Sequence, residues 1–125
     1  MKAATLLLSL LLFMRTTYAG WDNWSDTDRT LFIASSVAMA ADWATTRYAS
    51  RQWDTCNCHE RNPILGKHPS TGRLDLYFTT MMIANYYIGD AMGPEWRPFY
   101  FAFRTAAHGS AAYHNTAVFG WQLRF

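Results

Sequence analysis

Polar residues recur at helical spacing inside the apolar segments of this chain. Ser35, Asp42 and Thr46 lie seven and four residues apart; Asp75, Thr79, Tyr86 and Asp90 follow steps of four, seven and four; Arg104, His108 and Asn115 follow four and seven. Each set lines one face of a helix with 3.6 residues per turn. Ser25 or Asp26 caps the first segment, with Asp28 in its first turn. Met92-Gly93-Pro94 stops the second, Pro98 suits the opening turn of the third, and Gly120 follows its end. The pattern predicts helices over about 26–51, 73–91 and 98–119, with a loop over 52–72. The expected fold class is all-α: a signal peptide followed by a three-helix transmembrane bundle.

The opening residues have a separate logic. Met1-Lys2 is a short basic start, Ala3 to Met14 is apolar apart from Thr5 and Ser9, and Ala19-Gly20 closes a polar stretch with small residues. That arrangement fits a secretory signal peptide over 1–19, followed by one helical membrane domain over 20–125. An uncleaved anchor is the alternative, since Thr17 replaces the more usual alanine three residues before the cleavage point. The apolar run is short for a span, which takes about 20 residues.

Polar stripes that turn inward make a membrane bundle; stripes that turn outward make a soluble one. The mean hydropathy of −0.14 favours the second. A charge at mid-membrane costs about 2.5–3.5 kcal/mol, so Asp42, Asp75, Asp90, Arg104 and His108 need partners across the stripes. Two placements favour the first. Trp21, Trp24, Trp53, Trp96 and Trp121 stand at element ends, as interfacial tryptophans do, and only Trp43 lies within a helix. Arg47, Arg51, Arg61, Lys67 and Arg73 crowd the first loop and its flanks, whereas Arg29 and Arg97 are alone at the other end. With an exported amino terminus that loop is cytoplasmic, as the positive-inside rule asks. The expected location is the bacterial inner membrane, with the periplasm or outer membrane as alternatives. The alternation in Phe119 to Phe125 resembles the last strand of an outer-membrane barrel, but about 106 residues barely supply eight strands and the alanine-rich segments do not alternate.

Composition narrows the function classes. Charged residues are 16% of the chain and aromatics 17%, which excludes disorder. The net charge of +2 disappears with Lys2 and Arg15, leaving nine basic against nine acidic residues and no nucleic-acid footprint. Membrane lipids are the expected partners, with a homo-oligomer or a second membrane protein completing the polar interior. No cofactor is implied.

The first loop carries the most specific strings. Cys56 and Cys58, with His59 and His68, offer thiolate and imidazole ligands for a metal, although the cysteine spacing is not that of a common zinc module. In a reducing compartment the same cysteines are free thiols, and in an exported loop they are an oxidised pair. Next come Glu60, Asn62-Pro63, Leu65-Gly66 and Pro69-Ser70. Asn-Pro starts a turn, Gly66 permits a positive φ, and Pro69-Ser70 redirects the chain into the second helix. This turn motif, with Asp42 and Thr46 in the helix before it, resembles a group of small bacterial envelope proteins. The resemblance implies a helical membrane fold and no reaction.

An interaction or accessory role in the inner membrane is the first expectation, with the polar stripes holding the bundle together. A small membrane hydrolase or transferase acting on a lipid or lipid-linked substrate is the alternative, and a soluble periplasmic helical protein the next. In the enzyme Asp42 and His108 form an acid–base pair and Arg104 binds an anionic group. No nucleophile elbow, phosphate-binding glycine loop or zinc-protease motif is present.

Overall fold

The computed structural model describes residues 20–120, so the expected signal peptide and the chain end after Gly120, Trp121 included, lie outside the described residues. A short 3-10 turn, Trp21–Asn23, precedes three α-helices: α1, Asp26–Ser50; α2, Thr71–Ala91; and α3, Arg97–Phe119. No strand occurs among the described residues. The Ser25 hydroxyl accepts from Asp28 N at 3.0 Å, while Ser70 caps α2 by accepting from Arg73 N at 3.3 Å. Pro98 lies in the first turn of α3, and Gly120 ends that helix with φ of 72°.

Cross-helix pairs define the topology. Asp28 meets Arg97, Asp42 meets His108, and Thr46 meets Asn115, so α1 and α3 ascend together. Trp24 meets Asp90, Ser35 meets Asn85, and Trp43 meets Asp75, so α2 descends alongside α1. The α1–α3 contact is the most extensive of the three. The inward face of α1 carries Asp28, Phe32, Ser35, Met39, Asp42, Thr46 and Ala49, alternating steps of four and three. That is heptad spacing, with polar side chains at positions where a water-soluble coiled coil places aliphatics. On α3, Arg97, Phe101, Arg104 and His108 follow the same rhythm.

The two ends of the seam are built differently. Arg97 and Asp28 are almost wholly buried and pair at 3.2 Å. Arg97 also donates to the carbonyls of Gly89 and Met92, at 2.8 and 2.9 Å, which satisfies the charge at the α2–α3 turn. Trp24 stacks on Tyr86 and touches Phe101 and Phe32, closing this end with aromatics. Gly89 is required here, because a methyl group on it would coincide with the ring of the fully buried Phe101. The other end holds a conventional apolar cluster of Met39, Trp53, Leu65, Leu74 and Phe78.

Several expectations are corrected. The buried residues of α2 are Leu74, Phe78, Asn85, Gly89 and Asp90; of the stripe expected at Asp75, Thr79, Tyr86 and Asp90 only Asp90 is buried, accepting from Trp24, and the rest of the buried face lies one residue earlier. Burial of Leu74 and Phe78 turns the helix by about 100° from that expectation, leaving Thr79 exposed and Asp75 at the flank, where it accepts from Trp43 and pairs with Arg47. Trp24 and Trp53, expected as interfacial anchors, are buried at 3% and 7% exposure. Arg97, expected as a lone turn cation, is the buried partner of Asp28. As for the spanning part of the expected fold, no helix among the described residues is long and apolar enough to cross a membrane.

Removing one partner of a buried ion pair strands the other charge, at a cost of about 3–5 kcal/mol. Asp28→Ala is therefore expected to destabilise the bundle by about that amount, read as a lowered midpoint in denaturant unfolding. Gly89→Ala is expected to cost about 1–3 kcal/mol through overpacking against Phe101.

Candidate functional site: a polar cleft between α1 and α3

Beside the carboxyl-terminal halves of α1 and α3, which stay joined by Asp42–His108 and Thr46–Asn115, a cleft of about 770 Å³ opens. Loop residues around Asn57 to Asn62 and the side chains of Tyr77 and Phe78 complete its walls. Asp42, Arg104 and His108, the three residues singled out from the sequence, all line it.

The carboxylate of Asp42 is held on both oxygens. Oδ2 lies 2.7 Å from His108 Nδ1, and Oδ1 accepts from the Thr46 hydroxyl at 3.1 Å. Asn115 Nδ2 donates to Thr46 Oγ1 at 2.9 Å and to Thr45 Oγ1 at 3.2 Å. A relay of Asn115, Thr46, Asp42 and His108 thus fixes the imidazole. Because an ionised carboxylate only accepts, Nδ1 carries the proton shared with Asp42, and Nε2 is the ring nitrogen left for a ligand. Phe78 packs edge-on against the imidazole.

Arg104 stands one turn before His108 on α3 and is differently placed from Arg97. Its Nε and Nη2 are buried and find no hydrogen-bond partner among the described residues. Asn85 Oδ1 is likewise buried and unpaired there, while Asn85 Nδ2 donates to Ser35 Oγ at 2.9 Å. Unpaired buried donors are costly, and a guanidinium more so than a neutral group.

The turn motif builds the cleft wall. Glu60 Oε1 accepts from Asn62 N at 2.8 Å, Asn62 Oδ1 accepts from Ile64 N at 3.0 Å, and Asn62 Nδ2 donates to Tyr77 Oη at 2.8 Å. One asparagine therefore shapes the Asn62-Pro63 turn and ties it to α2. Glu60 N donates to Lys67 O at 2.8 Å, closing the loop at its base. Gly66 takes φ of 79°, which delivers Leu65 into the apolar cluster, and Pro69 is buried where the chain enters α2.

The proposed metal ligands do not converge. Cys56 and Cys58 are joined to each other, with Cα atoms 5.2 Å apart. His68 stacks on Trp53, with Nε2 3.1 Å from the Cys58 carbonyl oxygen, and His59 is exposed at the cleft rim. Among the described residues no group of three or more His, Cys, Asp or Glu side chains is placed to hold a metal ion.

Sequence reasoning missed the Asp28–Arg97 pair and the cleft-side roles of Thr46 and Asn115 as a relay. The first was within reach, since Asp28 stands seven residues before Ser35 and Arg97 seven before Arg104. The chain matches no family model, no curated protein and no solved structure.

Leu65→Ala is expected to cost about 2–5 kcal/mol by opening a cavity beneath the cleft wall. Gly66→Ala adds backbone strain of about 1–2 kcal/mol at its positive φ. Both effects are measured by thermal or denaturant unfolding.

Proposed function

We propose that this chain is a small membrane enzyme of the bacterial envelope, a hydrolase or transferase that acts on a lipid or lipid-linked substrate in the α1/α3 cleft. The observation that carries this reading is the contrast between buried Arg97 and half-buried Arg104, which lines the cleft. Arg97 is saturated by Asp28 and backbone carbonyls, as a purely structural charge should be. Arg104 is unsatisfied beside an Asp–His pair that faces a cleft. The accessory role expected from the sequence accounts for the first arrangement and not for the second.

In this reading His108 Nε2 takes a proton from water or an acceptor hydroxyl as that oxygen attacks the ester. The imidazolium is stabilised by Asp42, and the leaving oxygen receives the proton when the old bond breaks. Thr46 and Asn115 hold Asp42 in place and do not touch the substrate.

Support for a lipid setting comes from the outer surface. Ile33, Val37, Ile83, Tyr87, Phe99 and Phe103 are exposed around all three helices near the Asp28–Arg97 end. Beyond this girdle the tip carries exposed Asp22, Asp26 and Glu95, while the loop end carries exposed Arg51, Arg61, Lys67 and Arg73. An apolar belt between an acidic and a basic end suits a bilayer, with the basic end on the cytoplasmic side. The inward seam lowers each helix's average hydropathy without itself meeting lipid. The three-span arrangement is the form this seating takes, and the envelope resemblance of the turn motif is consistent with it.

The test pairs two variants with vesicles of bacterial phospholipid, products being read by mass spectrometry. His108→Asn keeps a donor for Asp42 and removes the base; it is expected to accumulate at the wild-type level and lose about 10²-fold or more in turnover. Wild-type turnover in that variant, or loss of abundance in step with activity, overturns the catalytic reading. Release of the protein from membranes by carbonate overturns the lipid setting.

A further inference from the structure

Asp90 is a buried carboxylate without a cation of its own. It is 3% exposed, close to the end of α2, and its carboxylate forms no ion pair among the described residues. Arg97 reaches only its backbone carbonyl, at 3.4 Å, and pairs instead with the Asp28 carboxylate at 3.2 Å. This end of the seam therefore buries two carboxylates, Asp28 and Asp90, against one guanidinium. A buried charge without a partner is costly.

Asp90 Oδ1 accepts from Trp24 Nε1 at 2.8 Å and from the backbone nitrogen of Gly20 at 3.0 Å. The second donor lies 70 residues away in sequence, and a built turn brings it there. Arg29 stands over the Trp21 ring and donates to the carbonyls of Trp21 and Asp22, at 3.2 and 3.0 Å. Asn23 N donates to the Gly20 carbonyl at 3.0 Å, and Trp24 is locked into the aromatic cluster. The turn thus holds the Gly20 nitrogen against Asp90.

That nitrogen belongs to the residue which follows the expected leader cleavage point. The basic start, the apolar run and the small Ala19-Gly20 step mark this bond without any reference to Asp90. Hydrolysis adds one water across the amide: the C–N bond breaks, Ala19 departs with the leader as a carboxylate, and the Gly20 nitrogen becomes an amine. An α-amine is mostly protonated at neutral pH. The atom that donates to Asp90 as a neutral amide then carries the positive charge this end lacks, already within hydrogen-bond distance.

We infer that Ala19–Gly20 is the processing site of a leader-cleaving peptidase, and that the Gly20 ammonium it creates is the counter-ion of buried Asp90. Each buried carboxylate then has one cation, and the bundle gains its last ion pair only when the leader leaves. Asp90 adjoins Gly89, against which Phe101 packs, so the pair ties the start of the mature chain to the α2–α3 end of the seam. This tip is the exported end in the lipid seating. The inference holds equally for a periplasmic protein and does not depend on catalysis by His108.

The full chain is expressed with its leader in a bacterial envelope, and the purified product is weighed by intact-protein mass spectrometry. Gly20 is expected as the first residue; an uncleaved chain, or any other first residue, overturns the inference. Thermal unfolding is then compared with a mature chain that retains one serine inserted between Ala19 and Gly20. The serine moves the ammonium away and returns a neutral amide to the Gly20 nitrogen. It is expected to lower the midpoint by roughly 4–8 °C. Asp90→Asn keeps an acceptor for Trp24 and removes the charge, and in that background the serine is expected to cause no shift. Equal midpoints with and without the serine when Asp90 is present, or the same drop in both backgrounds, overturn the inference. If Asp90→Asn does not fold, the two chains that keep Asp90 decide: a lower midpoint with the serine supports the pair, and equal midpoints overturn it.

Discussion

The buried Asp28–Arg97 pair sets the register on which the rest of this bundle depends. Both side chains are withdrawn from water, and together with the Gly89 and Met92 carbonyls they leave Arg97 with partners on several sides. Sliding α3 along α1 by one turn, about 5.4 Å, would strand both charges. Because α1 and α3 ascend in parallel, fixing their starts also fixes what meets farther up: Ser35 at the level of Asn85, Asp42 with His108, Thr46 with Asn115. Polar residues at single heptad positions specify register in coiled coils at some cost in stability. Here the device occupies most of a seam.

The same seam changes character along its length. At the closed end an aromatic cluster of Trp24, Phe32, Tyr86 and Phe101 excludes water, Asp28 pairs with Arg97, and Asp90 accepts from Trp24. At the open end the wall opposite α3 is the loop, held off by the Asn62 turn and by Leu65 in the apolar cluster. The hydrogen bonds from Glu60 and Asn62 keep the loop at the distance that leaves a cleft. The turn motif is thus tied to Asp42 and His108 through geometry, although none of its residues contacts either directly.

Much of this was legible in the chain. The cap at Ser25, the turn at Pro69-Ser70, the Gly93-Pro94 stop and Gly120 mark the helices to within two residues, because local backbone chemistry decides where helices end. The grouping of Asp42, Arg104 and His108 was legible because spacings of seven and four survive in the folded seam. The rotation of α2 was not: its polar and apolar faces are adjacent, and Leu74 and Phe78 outweigh Asp75 and Thr79 only once Leu65 and Trp53 arrive from the loop. Trp24 and Trp53 misled for a related reason. A tryptophan at a helix end suits an interface or a core equally, and the choice belongs to tertiary partners such as Tyr86 and His68.

Hydropathy averaged along a helix assumes that its faces share one environment. In α1 they do not, since Asp28, Ser35 and Asp42 face other protein while Ile33 and Val37 face outward. The average therefore reports on composition, and the environment follows from where each face points. A water-facing bundle with this seam would bury charges while exposing phenylalanine and isoleucine, losing free energy on both sides of its surface. In lipid the second loss disappears and the first is offset by pairing. Arg104 Nε and Nη2 and Asn85 Oδ1 are the buried side-chain polar atoms left without a hydrogen-bond partner among the described residues.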